Sequence, residues 1–328
     1  MERELALEFG RVTEAAALAA ARWVGRGDKI AADDAAVTAM RVMLDSVPID
    51  GIVVIGEGEM DEAPMLYIDE RVGTGQSPAV DIAVDPLEGT NIVAKGLTNA
   101  IAVLASAPRG TLLHAPDMYM KKIAVGPLSK GRVFLEADVK ENVAEIAKAT
   151  GKLISEVTAV VLDRPRHQQL IEDLRSVGAR IKLITDGDIS PAVASAYPHS
   201  DVDLLIGIGG APEGVIAAAA LKCLGGDFQG QLWAENQEQI ERCHQMGIAD
   251  VEKILSLDDL VRTEDVIFSA TGITDAFMLR GVRYIGRQAI THTLVMRNQS
   301  GTVRFIEATH QLDKKPLFQN KLVQMKMK

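Results

Sequence analysis

Cysteine is almost missing from this chain. Cys223 and Cys243 are the 2 cysteines in 328 residues, too few for a disulfide framework or a cysteine-built zinc cluster. Both fall in stretches of helical character and read as small buried hydrophobes. Aromatic residues make up 4%, so the core must be assembled from Ala, Val, Ile and Leu. Positive charge is also short. There are 35 Lys and Arg against 45 Asp and Glu, a net charge of -10, and no basic stripe to neutralise a nucleic-acid backbone. A small phosphorylated substrate stays open, because bound divalent metal inverts the local potential. Apolar runs are broken by charge or glycine well short of a membrane span, and Met1-Glu2-Arg3-Glu4 does not read as a signal peptide. A cytoplasmic protein without a nucleic-acid or membrane partner is expected. The histidines lack metal-ligand spacing of the His-x-x-x-His kind; His167, beside Arg166, is the one to watch. A Walker lysine motif is missing too. Gly207-Ile208-Gly209-Gly210 lacks the second half of a dinucleotide loop, and Glu213 at the following helix start would repel a pyrophosphate.

What is present is an ordinary globular composition, 47% apolar and 24% charged, long enough for two domains. The elements read as mixed α and β, becoming regular α/β from 157 onward. Helical spacing of Leu5, Phe9, Val12, Ala16, Ala20 and Trp23 predicts a helix over 3–24. A second is expected over 33–44, with Asp33 at its N-terminal end. Strands are expected at 51–55, 80–85, 101–105, 158–162, 180–185, 202–206, 266–270, 290–296 and 302–307. Pro64 to Tyr67 reads as a further short element. Helices are expected at 141–150, up to Val177, at 190–197, 215–224 and 235–246, with a short capped one at Ser256–Leu260. A boundary near 150 is expected, giving domains of 1–150 and 151–328, with the last strands packing back on the first.

The chemistry concentrates where strands end. Val80-Asp81-Ile82-Ala83-Val84-Asp85 is a buried strand; Pro86 has no N–H for the ladder, Glu88 follows, Gly89 permits a tight backbone, and Thr90 is suited to cap a new helix. Carboxyl ends of strands in open sheets are where ligands bind. Glu57, between Gly56 and Gly58, and Asp186 with Asp188 repeat the setting, and Asp33 and Glu213 stand at expected helix starts. Clustered carboxylates repel, so a shared site needs a cation or shifted pKa values. All-oxygen ligands point to Mg²⁺ or Mn²⁺. Arg164 and Arg166, around a rigid proline, can form a fork for phosphate oxygens. Lys121 and Lys122 beside Tyr119 read either as a second basic patch or as ordinary surface charge.

These motifs, with Gly25-Arg26-Gly27-Asp28-Lys29, Val54-Ile55-Gly56-Glu57-Gly58-Glu59, Ala115-Pro116-Asp117-Met118-Tyr119-Met120-Lys121-Lys122, Ile208-Gly209-Gly210-Ala211-Pro212-Glu213-Gly214-Val215 and Phe268-Ser269-Ala270-Thr271-Gly272-Ile273-Thr274, closely resemble the class II fructose-1,6-bisphosphatases, the GlpX-type family. That family sits within the metal-dependent, lithium-sensitive sugar and inositol phosphatases. The resemblance implies an α/β fold of α+β mixed type, with layered α-β-α-β-α architecture and mixed sheets. It implies hydrolysis of D-fructose 1,6-bisphosphate, in gluconeogenesis or the Calvin cycle, with Mn²⁺ or Mg²⁺ and assembly as a homodimer or homotetramer. Asp33 and Glu57 match ligands of one metal; Asp85, Glu88 and Glu213 match ligands of another. Thr90, which matches the residue that orients the attacking water, and Glu57 are the implied catalytic pair. Glu88, Gly89 and Thr90 match the grip on the reacting 1-phosphate. Tyr119, Arg164, Pro165, Arg166, Asp186, Gly187, Asp188 and Gly210 match contacts to the sugar and its distal phosphate.

Two positions depart from the family pattern. Ile30 stands where asparagine is usual, and Asp34 where glycine or glutamine is common. The nearest rival reading is a dual enzyme that also takes sedoheptulose 1,7-bisphosphate; more distant ones are an inositol or sugar monophosphatase and a non-catalytic sugar-phosphate sensor.

Overall fold

The computed structural model describes residues 1, 3–58 and 65–315. In chain order the elements begin with α1 (Leu5–Ala20), α2 (Lys29–Leu44), β1 (Asp50–Ile55), β2 (Arg71–Val72), β3 (Ala79–Glu88), α3 (Thr90–Lys95) and β4 (Ile101–Pro108). There follow β5 (Tyr119–Val125), α4 (Val139–Thr150), β6 (Thr158–Leu162), α5 (Gln168–Val177), β7 (Arg180–Ile184), α6 (Ile189–Ser195) and β8 (Leu204–Gly210). Then come α7 (Ala211–Leu224), β9 (Asp227–Trp233), α8 (Gln237–Gln245), β10 (Leu255–Ser256) and α9 (Leu257–Leu260). The last strands are β11 (Ile267–Gly272), β12 (Arg283–Ile285), β13 (Gln288–Arg297) and β14 (Thr302–Gln311). They form two mixed sheets with helices, the mixed α and β class expected. Among the described residues no helix is long and apolar enough to cross a membrane.

The chain folds as two compact units, Met1–Thr111 with Asp265–Lys328, and Leu112–Glu264. Position 150, where a boundary was expected, ends α4 inside the second unit. The reason lies in β5, which is hydrogen-bonded between β8 and β9 and so ties the segment after 112 to the later strands.

The first unit is built on a sheet in the order β12-β13-β11-β4-β3-β1-β2, with β14 also on β13. β1 and β3 are parallel; β3–β4, β4–β11 and β11–β13 are antiparallel. Phe9 and Val12 of α1 and Met40 and Leu44 of α2 pack with Val53, Ile82, Val84, Leu104 and Val295 of the sheet in one buried cluster. Alanines 15, 19, 35 and 39 let α1 and α2 lie close. α2 begins four residues earlier than expected because Asp28 is its cap, its carboxylate accepting from the Ala31 N–H at 2.9 Å. Asp33 is therefore in the second turn. Residues 65–70 form turns rather than a regular element; Pro64 and Glu59 lie outside the described residues, as does everything beyond Lys315.

The second unit carries a sheet in the order β10-β9-β5-β8-β6-β7. Alternate residues of β5 face opposite sides. Ile123 and Val125 join Val143 and Ile146 of α4 and Ile171 and Leu174 of α5 in one core. On the other side Met120 meets the start of α7, where a Cβ on Gly214 would lie 2.8 Å from its sulfur. Cys223 and Cys243 are both free and buried.

Candidate active site

Within the first unit, the carboxylates leave the sheet at one end. β1 and β3 run parallel with Ile55 opposite Ala83. Two residues further on each strand are Glu57 and Asp85, so the register brings both backbones out at the same level, at the carboxyl ends of neighbouring strands. Gly56 is required just there: a Cβ on it would sit 1.9 Å from the Leu66 carbonyl oxygen. That same carbonyl accepts the Glu57 N–H at 3.0 Å and pins the residue.

β3 does not stop at Pro86. It continues to Glu88 through a bulge: Asp85 pairs with Val103 and Glu88 with Ile101, three steps facing two. The bulge takes Pro86 out of the ladder, where its missing N–H costs nothing. The Leu87 N–H turns to the Asp85 carboxylate at 3.1 Å. Glu88 is buried, 4% exposed. Gly89 then takes a left-handed conformation, φ 96°, as the cap position of α3, a backbone that a side chain would strain. Thr90 is the first helical residue and not the cap; no side chain caps α3. Asp81, earlier on the same strand, is buried and accepts the Thr111 N–H at 2.9 Å, a structural bond.

Asp33 is half-buried on α2, and its pKa is raised to about 6, first by desolvation and then by the neighbouring Asp34 carboxylate. Asp34 itself and Ile30, the two departures from the family pattern, are exposed. Asp34 thus acts on Asp33 through its charge.

In the second unit the expected substrate residues surround the carboxyl ends of β6 and β8. Tyr119 opens β5 opposite Gly210 on one side and Trp233 on the other. The Arg166 guanidinium lies over the Tyr119 ring, 4.5 Å from its centre, and donates to the Ile208 carbonyl at 2.9 Å. Arg164 is half-buried and donates to the Asp163 carbonyl at 3.3 Å. Pro165 starts the single 3-10 turn between them. Gly187 has φ 76° and lies between Asp186, half-buried, and Asp188, buried.

Asp188 is held by a residue that motif reading alone did not single out. Lys122 is 1% exposed; its ammonium donates to Asp188 at 2.9 Å and to the Gly210 carbonyl at 2.9 Å. Lys121, one residue away, faces the other side, reaching Gln231 at 3.3 Å and lying over Trp233. The two lysines do not form a shared basic patch. Strand alternation was the signal that separates them. Gly209 and Gly210 are bare for a reason: a Cβ on the first would lie 2.0 Å from Asp188 Oδ2, on the second 1.8 Å from Glu213 Oε2.

Glu213 stands in the first turn of α7, with Pro212 at the helix start. Its Oε2 is buried and lacks a hydrogen-bond partner. Burial pushes the Glu213 carboxyl up; Lys122 pulls it down, and Asp188 and Asp117 push it up again. Glu213, with its buried oxygen lacking a donor, and Asp33, with its desolvated carboxyl, are each groups whose charged form a nearby cation would favour. The oxygen-only donor set fits a hard divalent metal. Among the described residues, no three His, Cys, Asp or Glu side chains already converge as a metal cage.

A family model described as bacterial fructose-1,6-bisphosphatase, glpX-encoded, matches residues 3–310. A protein of Escherichia coli (strain K12) named fructose-1,6-bisphosphatase 1 class 2 is 50% identical, over 96% of this chain and 97% of its own length. A Haemophilus influenzae protein named fructose-1,6-bisphosphatase class 2 is 48% identical, over 95% of this chain and 98% of its own.

Proposed function

Since the chain belongs to the bacterial class II, glpX-encoded fructose-1,6-bisphosphatase family, we propose that it hydrolyses D-fructose 1,6-bisphosphate to D-fructose 6-phosphate and phosphate. The observation that carries this reading is identity of about half over nearly the full length of both chains. Substrate identity rests on that likeness, and the layout of the carboxylates agrees with it. We further read the Asp85-Pro86-Leu87-Glu88-Gly89-Thr90 element as the mark of the wider lithium-sensitive phosphatase group.

The family is metal-dependent, and we assign Mg²⁺ or Mn²⁺ here. Asp33 and Glu57 would hold one ion, and Asp85, Glu88 and Glu213 another. When bound, such ions offset charge on the transferring phosphoryl group and make water a stronger nucleophile. The chain's own residues then orient the reactants. The Thr90 hydroxyl, at the start of α3, can donate one hydrogen bond and accept others, and so can aim the attacking water along the P–O1 bond. Glu57, pinned through its N–H, shares this catalytic task. A new P–O bond forms to the water oxygen as the bond to the sugar O1 breaks, and the water proton ends on O1. Gly89 lets the backbone of 88–90 approach the 1-phosphate. Tyr119, Arg164, Pro165, Arg166, Asp186, Gly187, Asp188 and Gly210 would take the sugar and distal phosphate, whose binding energy is spent on positioning.

Phosphate release should be followed in parallel with fructose 1,6-bisphosphate, sedoheptulose 1,7-bisphosphate and inositol monophosphate, with Mg²⁺ or Mn²⁺. We expect rapid release from the first and loss of release with EDTA. Comparable release from the second would make the enzyme dual. Comparable release from the monophosphate, or binding without release, would overturn the reading. We place the enzyme in the cytoplasm and expect a homodimer or homotetramer, which light scattering would measure.

A further inference from the structure

β6 and β8 are laddered at Ala159–Leu204 and Val160–Leu205. Toward their carboxyl ends a side chain takes over the connection. His167 is 1% exposed, and its Nδ1 lies 2.7 Å from the Leu162 carbonyl at the end of β6. Its Nε2 accepts the Ile208 N–H of β8 at 2.7 Å. The partners fix the tautomer. A carbonyl only accepts, so Nδ1 carries the proton; an amide N–H only donates, so Nε2 does not. The ring is neutral and both nitrogens are used.

The same Ile208 whose N–H binds His167 presents its carbonyl to Arg166, at 2.9 Å from one terminal nitrogen and 3.3 Å from Nε. Two successive side chains of one 3-10 turn thus grip both polar groups of a single residue. Arg166 is thereby laid across Tyr119. Gly207, at φ 146°, completes the fit: a Cβ there would lie 3.0 Å from His167 Nε2.

We propose that His167 is a positioning residue, a neutral clamp that fixes the Arg164–Arg166 turn on β8 and so sets where Arg166 meets the distal phosphate of the sugar bisphosphate. This rests on the substrate reading above. Protonation of the ring would turn Nε2 into a donor facing another donor and release the clamp. The charged groups around it are Arg164 and Arg166 on its own turn, which oppose protonation, and Asp188 at the start of α6, which favours it. Burial opposes it most.

The test is steady-state kinetics of the full chain with fructose 1,6-bisphosphate and saturating Mn²⁺, on wild type, His167→Phe, His167→Gln, Arg166→Ala and the double variant His167→Phe with Arg166→Ala, each with its thermal midpoint. His167→Phe should raise KM about tenfold and leave kcat within about twofold, as lost positioning of a charge-assisted contact does. His167→Gln, whose amide oxygen can accept from Ile208, should recover part of the KM. In the Arg166→Ala background His167→Phe should raise KM no further, because the two act through one contact. Wild-type KM should rise toward acid pH more steeply than that of the His167→Phe protein. An unchanged KM, additive effects in the double variant, or a fall in kcat alone would overturn the clamp. If His167→Phe does not fold, His167→Gln and the wild-type pH dependence decide, and a KM flat toward acid pH in both contradicts it. Absence of phosphate release by wild type overturns the substrate reading; an active wild type with indifferent His167 variants overturns the clamp alone.

Discussion

At Gly56 a single missing carbon decides the path of the chain. The Leu66 carbonyl occupies the place of its Cβ and also receives the Glu57 N–H. Gly56→Ala must push backbone against backbone, so we expect a loss of about 1–3 kcal/mol in denaturant unfolding and a drop in kcat as Glu57 shifts. Full retention of both would show that Leu66 yields freely. Lys122 is the second residue to probe. Its ammonium and the Asp188 carboxylate are both buried. Lys122→Met would strand a carboxylate in the interior, at a cost on the order of 3 kcal/mol, measurable in the same unfolding curves; a neutral effect would mean that Asp188 finds solvent. Arg164, Arg166 and Glu213 were singled out as candidates in the sequence because motif and spacing name them. Lys122 was not, because two adjacent lysines look alike until strand alternation sends one to each side of the sheet.

β14 lies along the whole of β13, and one buried pair marks their seam. His310 is 4% exposed and bonds the Thr291 hydroxyl at 2.8 Å. Desolvation, aided by the Lys315 charge, lowers its pKa to about 4. The folded state therefore binds fewer protons than the unfolded one between the ordinary imidazole value and about 4. Stability from this group is full above that window and is lost as pH falls through it, by at most about 1.4 kcal/mol per pH unit. Glu14, close to His310, titrates in the opposite sense because burial raises its carboxyl, which flattens the slope. His310→Gln should lose less stability than wild type between pH 7 and 5 in urea unfolding; parallel losses would exclude His310 as a source. Most elements could be read from periodicity, including α1, β1 and the Ser256 capping box with Asp259. β9 went unread although its burial alternates strictly, because Gly230 interrupts the apolar pattern. The start of α2 was read at Asp33 because a carboxylate is favoured at any helix start, while Asp28 holds the bond.

On the scale of the molecule, the unit at Leu112–Glu264 is continuous in sequence and has its own sheet and core, whereas the other is assembled from two separated segments. A fragment of residues 112–264 should fold and melt cooperatively by circular dichroism, yet release no phosphate, since Asp33, Glu57, Asp85, Glu88 and Thr90 are outside it. A fragment without cooperative melting would mean the unit depends on the rest of the chain. Phosphate transfer to water from a sugar bisphosphate, with Thr90 aiming the water, is the reaction we propose. Its most direct measurement is the rate of phosphate release from fructose 1,6-bisphosphate by the metal-replete full chain, with wild type beside Thr90→Ala. We predict metal-dependent release by wild type and a kcat lower by about 10²-fold or more in Thr90→Ala, with bisphosphate binding retained. Near-normal turnover in Thr90→Ala, or a wild type that binds the bisphosphate and releases no phosphate, would contradict it.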